Sequence, residues 1–366
     1  MKVVFRTDSS VQIGTGHVMR CLTLANELTR QGHECWFVCR EHLGHLGDLI
    51  VSQGHGLTLF PVRKNHLPPE QDTASDDYAL WLGVPWQEDA RQTLDVISPL
   101  KPDWLVVDHY ALDAQWECTL ARVVSDIMVI DDLANRPHAC ALLLDQNLGR
   151  VASDYDGLLP AECQRLMGPG FALLRPEFAV LRERSLERRK DPELKRILIS
   201  LGGVDRTNVT GQVLDALSTS SLTPSTELDI IMGAAAPFLD EVRQQAEQLP
   251  FKATVSVNVK DMASRMCLAD LSIGAAGSTS WERCCMGLPS ITVMLAENQR
   301  SIAEALSKYK ACLLIDTSRV TEDLSGLIEM YASDAEVRLL LTQNAAQVCD
   351  GGGAERIASA FKGEIV

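Results

Sequence analysis

"VVFRTDSSVQIGTGHVMRCLTLANELTRQG", residues 3–32, passes from an apolar run through a polar turn with two glycines into a helical pattern. Val3-Val4-Phe5 reads as a buried strand that closes in Arg6-Thr7-Asp8-Ser9-Ser10. From His17 to about Gln31, the residues Val18, Cys21, Leu22, Ala25 and Leu28 form one apolar stripe. Arg20, Glu27 and Arg30 fall outside that stripe, and Gly32 supplies the C-terminal stop. The same alternation of strand-length apolar runs with helical period continues almost throughout, which predicts parallel sheets covered by helices.

In the first half the strand candidates are 2–6, 34–39, 57–62, 103–108, 126–131 and 140–145. Residues 63–79, acid-rich and with two prolines, break the rhythm and read as a long loop, a kind of segment often used as a lid or substrate loop. The charge-dense stretch from Arg182 to Pro192 reads as a linker. After it the strand candidates resume at 196–201, 228–232, 253–257, 271–274, 290–294 and 312–315. The expected organisation is α/β: an N-terminal domain over 1–182, a C-terminal domain over 193–345, and a helical tail, 346–366, free to pack back on the first domain. A chain of 366 residues exceeds what one core usually serves, in keeping with two domains.

Bulk properties narrow the function classes. The net charge is −15, from 34 Lys+Arg against 49 Asp+Glu, which disfavours nucleic acid as a partner. No apolar run approaches the ~20 residues of a membrane span, and no signal-peptide pattern opens the sequence, so a cytoplasmic protein without membrane association is expected. The eleven cysteines suit free thiols, many of them inside apolar runs. Cys35, Cys39, His42 and His45 resemble a metal cluster, but Cys35 and Cys39 lie four residues apart on a strand, roughly 13 Å, too far to share a tetrahedral zinc. No metal and no cofactor are expected.

In parallel α/β sheets, ligands bind at the carboxyl ends of strands. Polar or glycine-rich turns fall at those ends: Gly14-Thr15-Gly16-His17, Asp108-His109-Tyr110, Gly202-Gly203-Val204-Asp205, Gly274 to Thr279, and Glu297-Asn298-Gln299. The first lacks the third glycine of a dinucleotide fingerprint, because position 19 is Met, and the second strand ends near Arg40 rather than in an acid. Gly14 and Gly16 instead allow a tight turn and close ligand approach, with His17 in the first turn of a helix. A helix N-terminus favours the neutral imidazole that a general base needs; the alternative is a histidine bonded to loop carbonyls.

In Leu271 to Glu282, a strand ends in small residues and a helix starts at Ser278 or Thr279. Backbone N–H groups near Gly277, with the hydroxyls of Ser278 and Thr279, suit a nucleotide diphosphate without metal. Glu282, one turn on, can accept from ribose hydroxyls; the alternative is a capping arrangement with an exposed glutamate. Asp108 either contacts substrate or orients a loop, and His109 is either a substrate contact or a satisfied structural histidine. For Asp131-Asp132, no third ligand at a supporting spacing is present, so a loop-capping role is expected.

Arg6 to Ser10, Gly14 to Arg20, Val107 to Tyr110, Ile199 to Gly203, Gly274 to Glu282 and Glu297 to Gln299 occur in this order. Together they resemble the UDP-2,4-diacetamido-2,4,6-trideoxy-β-L-altropyranose hydrolases of pseudaminic acid biosynthesis. The resemblance covers nearly the whole chain, and its second-half motif is shared more widely with GT-B glycosyltransferases. It implies two Rossmann-like domains facing across a cleft, the GT-B fold, with sugar held by the first domain and UDP by the second. It also implies that His17 activates water for inverting attack on the anomeric carbon, releasing UDP without a metal. Tyr110 and Asn298 match positions of the family's substrate site, Glu282 matches its ribose-binding glutamate, and Gly203 belongs to a matching turn. The substrate implied is a UDP-sugar, and a monomer is expected. The insert at 63–79 has no counterpart in the family's motifs and bears on the sugar pocket.

Three other readings share parts of this pattern. A GT-B UDP-sugar glycosyltransferase replaces water with an acceptor hydroxyl; for a lipid acceptor it often carries an apolar or basic patch, and the first domain has no obvious one. A non-hydrolysing epimerase is another. A nucleotide-sugar binding module needs no base, so a His17 without influence on a pH profile favours it.

Overall fold

The computed structural model describes residues 1–62, 78–191 and 193–363, with Asn298 described by its backbone alone. The expected long loop at 63–79 therefore lies almost wholly outside the described residues; Tyr78 and Ala79 open a 3-10 segment, Tyr78–Leu82. The chain forms two compact units, one of residues 1–173 and 352–366, the other of residues 174–351.

The first unit holds seven strands: β1 Lys2–Thr7, β2 Glu34–Arg40, β3 Gly56–Phe60, β4 Trp104–Asp108, β5 Asp126–Ile130, β6 Leu142–Asp145 and β7 Gln164–Met167. They pair in parallel in the order β3-β2-β1-β4-β5-β6-β7. Such sheets are covered on both faces, which is why their strands read as continuous apolar runs. Val3 and Phe5 pack on one side with Val18, Cys21, Leu22 and Leu28 of the helix Gly16–Arg30. Val4 points to the other side, with Val107, Ile97 and Trp116. The C-terminal helix Gly353–Ala360 also belongs to this unit, where Ile357, Ala358 and Phe361 join the first of these two layers.

The second unit repeats the plan with β8 Arg196–Ser200, β9 Glu227–Met232, β10 Lys252–Val257, β11 Leu271–Ala275, β12 Ser290–Met294 and β13 Leu313–Asp316. The order is β10-β9-β8-β11-β12-β13, again parallel. In both sheets the chain steps outward from the first strand, then returns to build the other half. The strand order reverses between β1 and β4 and between β8 and β11, and the carboxyl ends of these pairs are where such folds leave room for ligands.

Several sequence expectations need correction. The stretch expected as a linker is helical as far as Arg188: Pro176–Arg188 is a helix of the second unit, with Pro at its first position. Its charges are absorbed by packing, because Arg182 donates to the carbonyls of Cys285, Ala346 and Cys349, and Arg189 to those of Ser185, Met266 and Ala269. The chain therefore passes between units at 173/174, not in the interval 182–193, and again at 351/352 rather than 345/346. The strand β7 is an addition to the expected set. The eleven cysteines are free thiols, ten of them buried, and Cys35 gives its S–H to the Ala25 carbonyl. Among the described residues, no helix is long and apolar enough to cross a membrane.

Candidate functional site

Asp8 ends the β1 side of the first unit's reversal point and Asp108 ends β4, with Thr7 directly opposite Asp108 in the register. Beneath this point lies a buried ionic platform. Asp89, from the helix Trp86–Leu100, accepts from Arg6 (Nε 3.1 Å, Nη2 2.7 Å), Arg40 (2.6 Å) and Trp116 Nε1 (3.1 Å). Asp8 accepts from the Arg40 backbone N–H at 2.6 Å and lies 2.8 Å from Arg6 Nη1. Burial pushes the Asp8 carboxyl up, but the Arg6 guanidinium and His109 more than reverse this and hold it ionised. His109 is a structural histidine: buried, with Nδ1 accepting from the Ala111 N–H (3.1 Å) and Nε2 3.3 Å from Asp8.

From this platform the turn 9–16 rises. Ser10 Oγ accepts from the N–H groups of Gln12 and Ile13, and Ser10 and Gly14 exchange backbone bonds. Gly14 closes the turn at φ +81°, a conformation that favours glycine. The helix then starts at Gly16, where a Cβ would meet nothing within 4 Å, so the backbone there is open to close approach.

His17, one residue into that helix, is 9% exposed. Its Nδ1 lies 2.6 Å from Asp108 Oδ1. Arg20 sets its fork on the same carboxylate, Nε to Oδ2 at 2.7 Å and Nη2 to Oδ1 at 2.6 Å, and gives Nη1 to Asp132 at 2.7 Å. Arg20 Nη2 is also 3.3 Å from His17 Nδ1, but guanidinium offers only donors. An ionised Asp108 at 2.6 Å demands the proton on Nδ1, which leaves Nε2 as the acceptor. Burial raises the Asp108 carboxyl; Arg20 and His17 outweigh it and keep the group charged.

Asp108 is fully buried and engaged by His17 and Arg20, so its partners are two side chains of the helix Gly16–Arg30 rather than the loop that sequence offered as the alternative to substrate. Arg20, expected outside the apolar stripe, has a side chain only 10% exposed. The two neighbouring aspartates divide. Asp131 caps its turn by accepting from Leu133 and Ala134, whereas Asp132 accepts from Arg20, from the Tyr110 O–H (2.8 Å) and from Asn147 (3.3 Å). Burial and Asp132 raise the Tyr110 phenol well above its ordinary value, so it stays protonated. Its ring stands edge-on to His17, with centroids 4.7 Å apart, and stacks with Trp81 at 5.7 Å.

Just outside this group, Tyr155 Oη is 2.9 Å from both Asp131 and Asp145. One hydroxyl proton cannot serve two carboxylates, so the second bond needs a protonated carboxyl. Burial pushes Asp145 up to about 6 against the opposing pull of the Asn147 N–H and Arg150, so below about pH 6 it is the carboxyl that takes the proton. Because the folded value lies above the unfolded ~3.9, this group's contribution is full below pH ~4 and is lost as pH rises through about 6. Asp145→Asn, which imitates the protonated form, is expected to gain about 2–3 kcal/mol relative to the parent chain between pH 4 and pH 7. Urea unfolding of both proteins at the two pH values checks this; a constant difference would remove the protonated carboxyl.

In the second unit, the two glycine-rich turns differ. After β8, Asp205 accepts from the N–H groups of Val209 and Thr210, and Asn208 from that of Gly211, so the first N–H groups of the helix Val209–Ser218 are occupied. A Cβ on Gly203 would meet nothing within 4 Å, whereas one on Gly233 would sit 2.0 Å from the Gly203 carbonyl oxygen, so the close packing of this turn requires glycine at 233. After β11, the helix Thr279–Cys285 begins without a side-chain cap at Ser278. Its first backbone bonds are donated by Ser280 and Trp281, to Gly277 and Ser278, so the N–H groups of Ser278 and Thr279 precede the ladder. Glu282 is one turn on, its side chain 16% exposed and 3.6 Å from Arg175. Burial raises its carboxyl. Asn298 lies in the 3-10 turn Glu297–Gln299 that follows β12. Among the described residues, no group of three or more His, Cys, Asp or Glu is arranged to hold a metal ion.

Residues 201–357 match the glycosyltransferase family 28 C-terminal domain. MurG of Acinetobacter baumannii superposes with a TM-score of 0.68 over 99% of both chains at 15% identity. S. aureus MnaA, solved with UDP, gives 0.65 over 99% of this chain and 96% of that one at 11% identity. The chain has the GT-B fold. In sequence it resembles the UDP-2,4-diacetamido-2,4,6-trideoxy-β-L-altropyranose hydrolase of Campylobacter jejuni, with 27% identity over 309 residues, 84% of this chain and 97% of the relative. It is an enzyme of the GT-B superfamily.

Arg20 and Trp81 are residues of this GT-B protein to which sequence reasoning gave no role, and Asp132, expected with Asp131 to cap a loop, instead accepts from Arg20 and Tyr110. Arg20 had a signal, since a cation three residues after His17 shares its helix face. Trp81 had none, and the paired carboxylates at 131 and 132 did not say which of the two would reach Arg20, because these partners are brought together only by the sheet order.

Proposed function

We propose that this protein hydrolyses a UDP-2,4-diacetamido-2,4,6-trideoxyhexose to UDP and free sugar, in pseudaminic acid biosynthesis. The observation that carries the reading is the Asp108–His17 pair fixed by Arg20 at the reversal point of the first sheet. With Nδ1–H given to Asp108, Nε2 accepts a proton from water as the water oxygen bonds to the anomeric carbon. The bond from that carbon to the diphosphate oxygen breaks, its electron pair leaves with UDP, and the sugar inverts. The N–H groups and hydroxyls of Ser278 and Thr279, beside Gly277, receive the diphosphate and stabilise the charge that develops on it. Glu282 takes the ribose hydroxyls, and Asn298 and the Tyr110 ring contact the substrate. No metal takes part in this scheme.

The similarity to the C. jejuni hydrolase supports the substrate, and the UDP bound to MnaA supports the nucleotide. The test is product analysis in ¹⁸O-labelled water with EDTA and no acceptor. Label in the free sugar, unlabelled UDP and turnover unaffected by EDTA are expected. Label in UDP would mean attack at phosphorus. No UDP at all would favour the glycosyltransferase reading, which the family 28 domain also accommodates.

A further inference from the structure

We infer that Trp81 is a specificity-determining residue, an aromatic platform beside His17 that receives the deoxygenated, acetamido-bearing face of the sugar. The inference rests on the hydrolase reading above and concerns the same site. Trp81 stands on the short segment Tyr78–Leu82, anchored by the buried Leu82. Its ring lies 6.4 Å from the His17 ring, edge-on, stacks on Tyr110 at 5.7 Å and meets Tyr78 edge-on at 4.8 Å. Tyr78 in turn is 5.0 Å from Tyr110. All three rings are half-buried, so they form a wall with one open side next to the proposed base. The indole N–H of Trp81 has no hydrogen-bond partner among the described residues.

That wall has the chemistry of a particular sugar. A hexose with hydroxyls at every position needs several polar partners, and burying them against bare rings is unfavourable. A 2,4-diacetamido-2,4,6-trideoxy sugar offers instead a methyl group at C6 and two acetamido methyls, all suited to aromatic faces. Its acetamido carbonyls are acceptors for a lone N–H such as that of Trp81 Nε1.

The test separates binding from turnover. In a His17→Gln background, calorimetric titration would measure UDP, UDP-N-acetylglucosamine and UDP-2,4-diacetamido-2,4,6-trideoxyhexose. Trp81→Ala is expected to weaken the diacetamido substrate about 30-fold while leaving UDP within twofold, from lost stacking plus one hydrogen bond. Trp81→Phe, which keeps a ring and loses the N–H, is expected to weaken it about fivefold. The preference over UDP-N-acetylglucosamine should fall in both variants. With His17 restored, Trp81→Ala should raise KM far more than it lowers kcat. Unchanged affinity for the diacetamido substrate in Trp81→Ala, with UDP bound normally, overturns the inference even if the parent enzyme hydrolyses it. Trp81-dependent binding in a parent protein that releases no UDP would uphold the platform and reject hydrolysis. If Trp81→Ala loses UDP affinity as well, its fold is damaged, and the Phe variant then decides.

Discussion

His17→Ala is expected to lower kcat by about 10²–10⁴-fold, the usual worth of a positioned general base, with UDP affinity unchanged. The geometry makes this a clean substitution. Removing the imidazole takes one partner from Asp108, but the two bonds from Arg20 remain, so the buried carboxylate stays satisfied and the local fold should hold. The loss should therefore fall on the chemical step. Rapid-quench measurement of UDP release under saturating substrate, together with calorimetric titration of UDP, checks both halves. Near-normal turnover would remove His17 as the base. A parallel loss of UDP affinity would mean that the substitution disturbs more than proton transfer.

Much of the fold can be read from the order of residues because its information is local. A parallel strand buried on both faces must be apolar over four or five residues, and the candidates at 2–6, 34–39 and 290–294 lie within two residues of β1, β2 and β12. β7 escapes because it is an edge strand, Gln164-Arg165-Leu166-Met167, in which Leu166 alone is fully buried. The helix Pro176–Arg188 escapes for the opposite reason. Its arginines look like a solvated connector, yet Arg182, and Arg189 just past its end, give their hydrogen bonds to backbone carbonyls up to 167 residues away. No window of sequence contains those acceptors.

The same division runs through the candidate site. The turn that presents His17 is local, since Gly14 and Ser10 close it over five residues. What surrounds His17 is not. Asp108 reaches it only because β1 pairs with β4 across the point where strand order reverses. Asp132 follows one strand later, just past the end of β5, and Trp81 comes from a segment between β3 and β4. Asp131 and Asp132 illustrate the limit most sharply. Adjacent in sequence and alike in chemistry, they turn to different partners, one to its own loop and Tyr155 and the other to Arg20 and Tyr110.

Asp108→Asn is expected to be nearly as damaging as loss of the histidine, about 10²–10⁴-fold in kcat with little change in KM. Asp108 accepts the Nδ1 proton of His17 at 2.6 Å. An asparagine pinned by Arg20 through its oxygen would turn its NH₂ toward Nδ1. The imidazole would then shift its proton to Nε2, the nitrogen required to accept one. The same change cuts a buried ionic partner from Arg20, which keeps Asp132, so a stability loss of about 3 kcal/mol should accompany it. The two effects are separable, because kcat is measured on the folded fraction at saturating substrate and stability by denaturant titration. The decisive comparison is the double variant. If Asp108 acts only by orienting the base, His17→Ala with Asp108→Asn should be no slower than His17→Ala alone, since residues that act as a unit are non-additive. A further tenfold loss in the double variant would give Asp108 a separate contact with substrate. Its complete burial beneath His17 and Arg20 argues against such a contact.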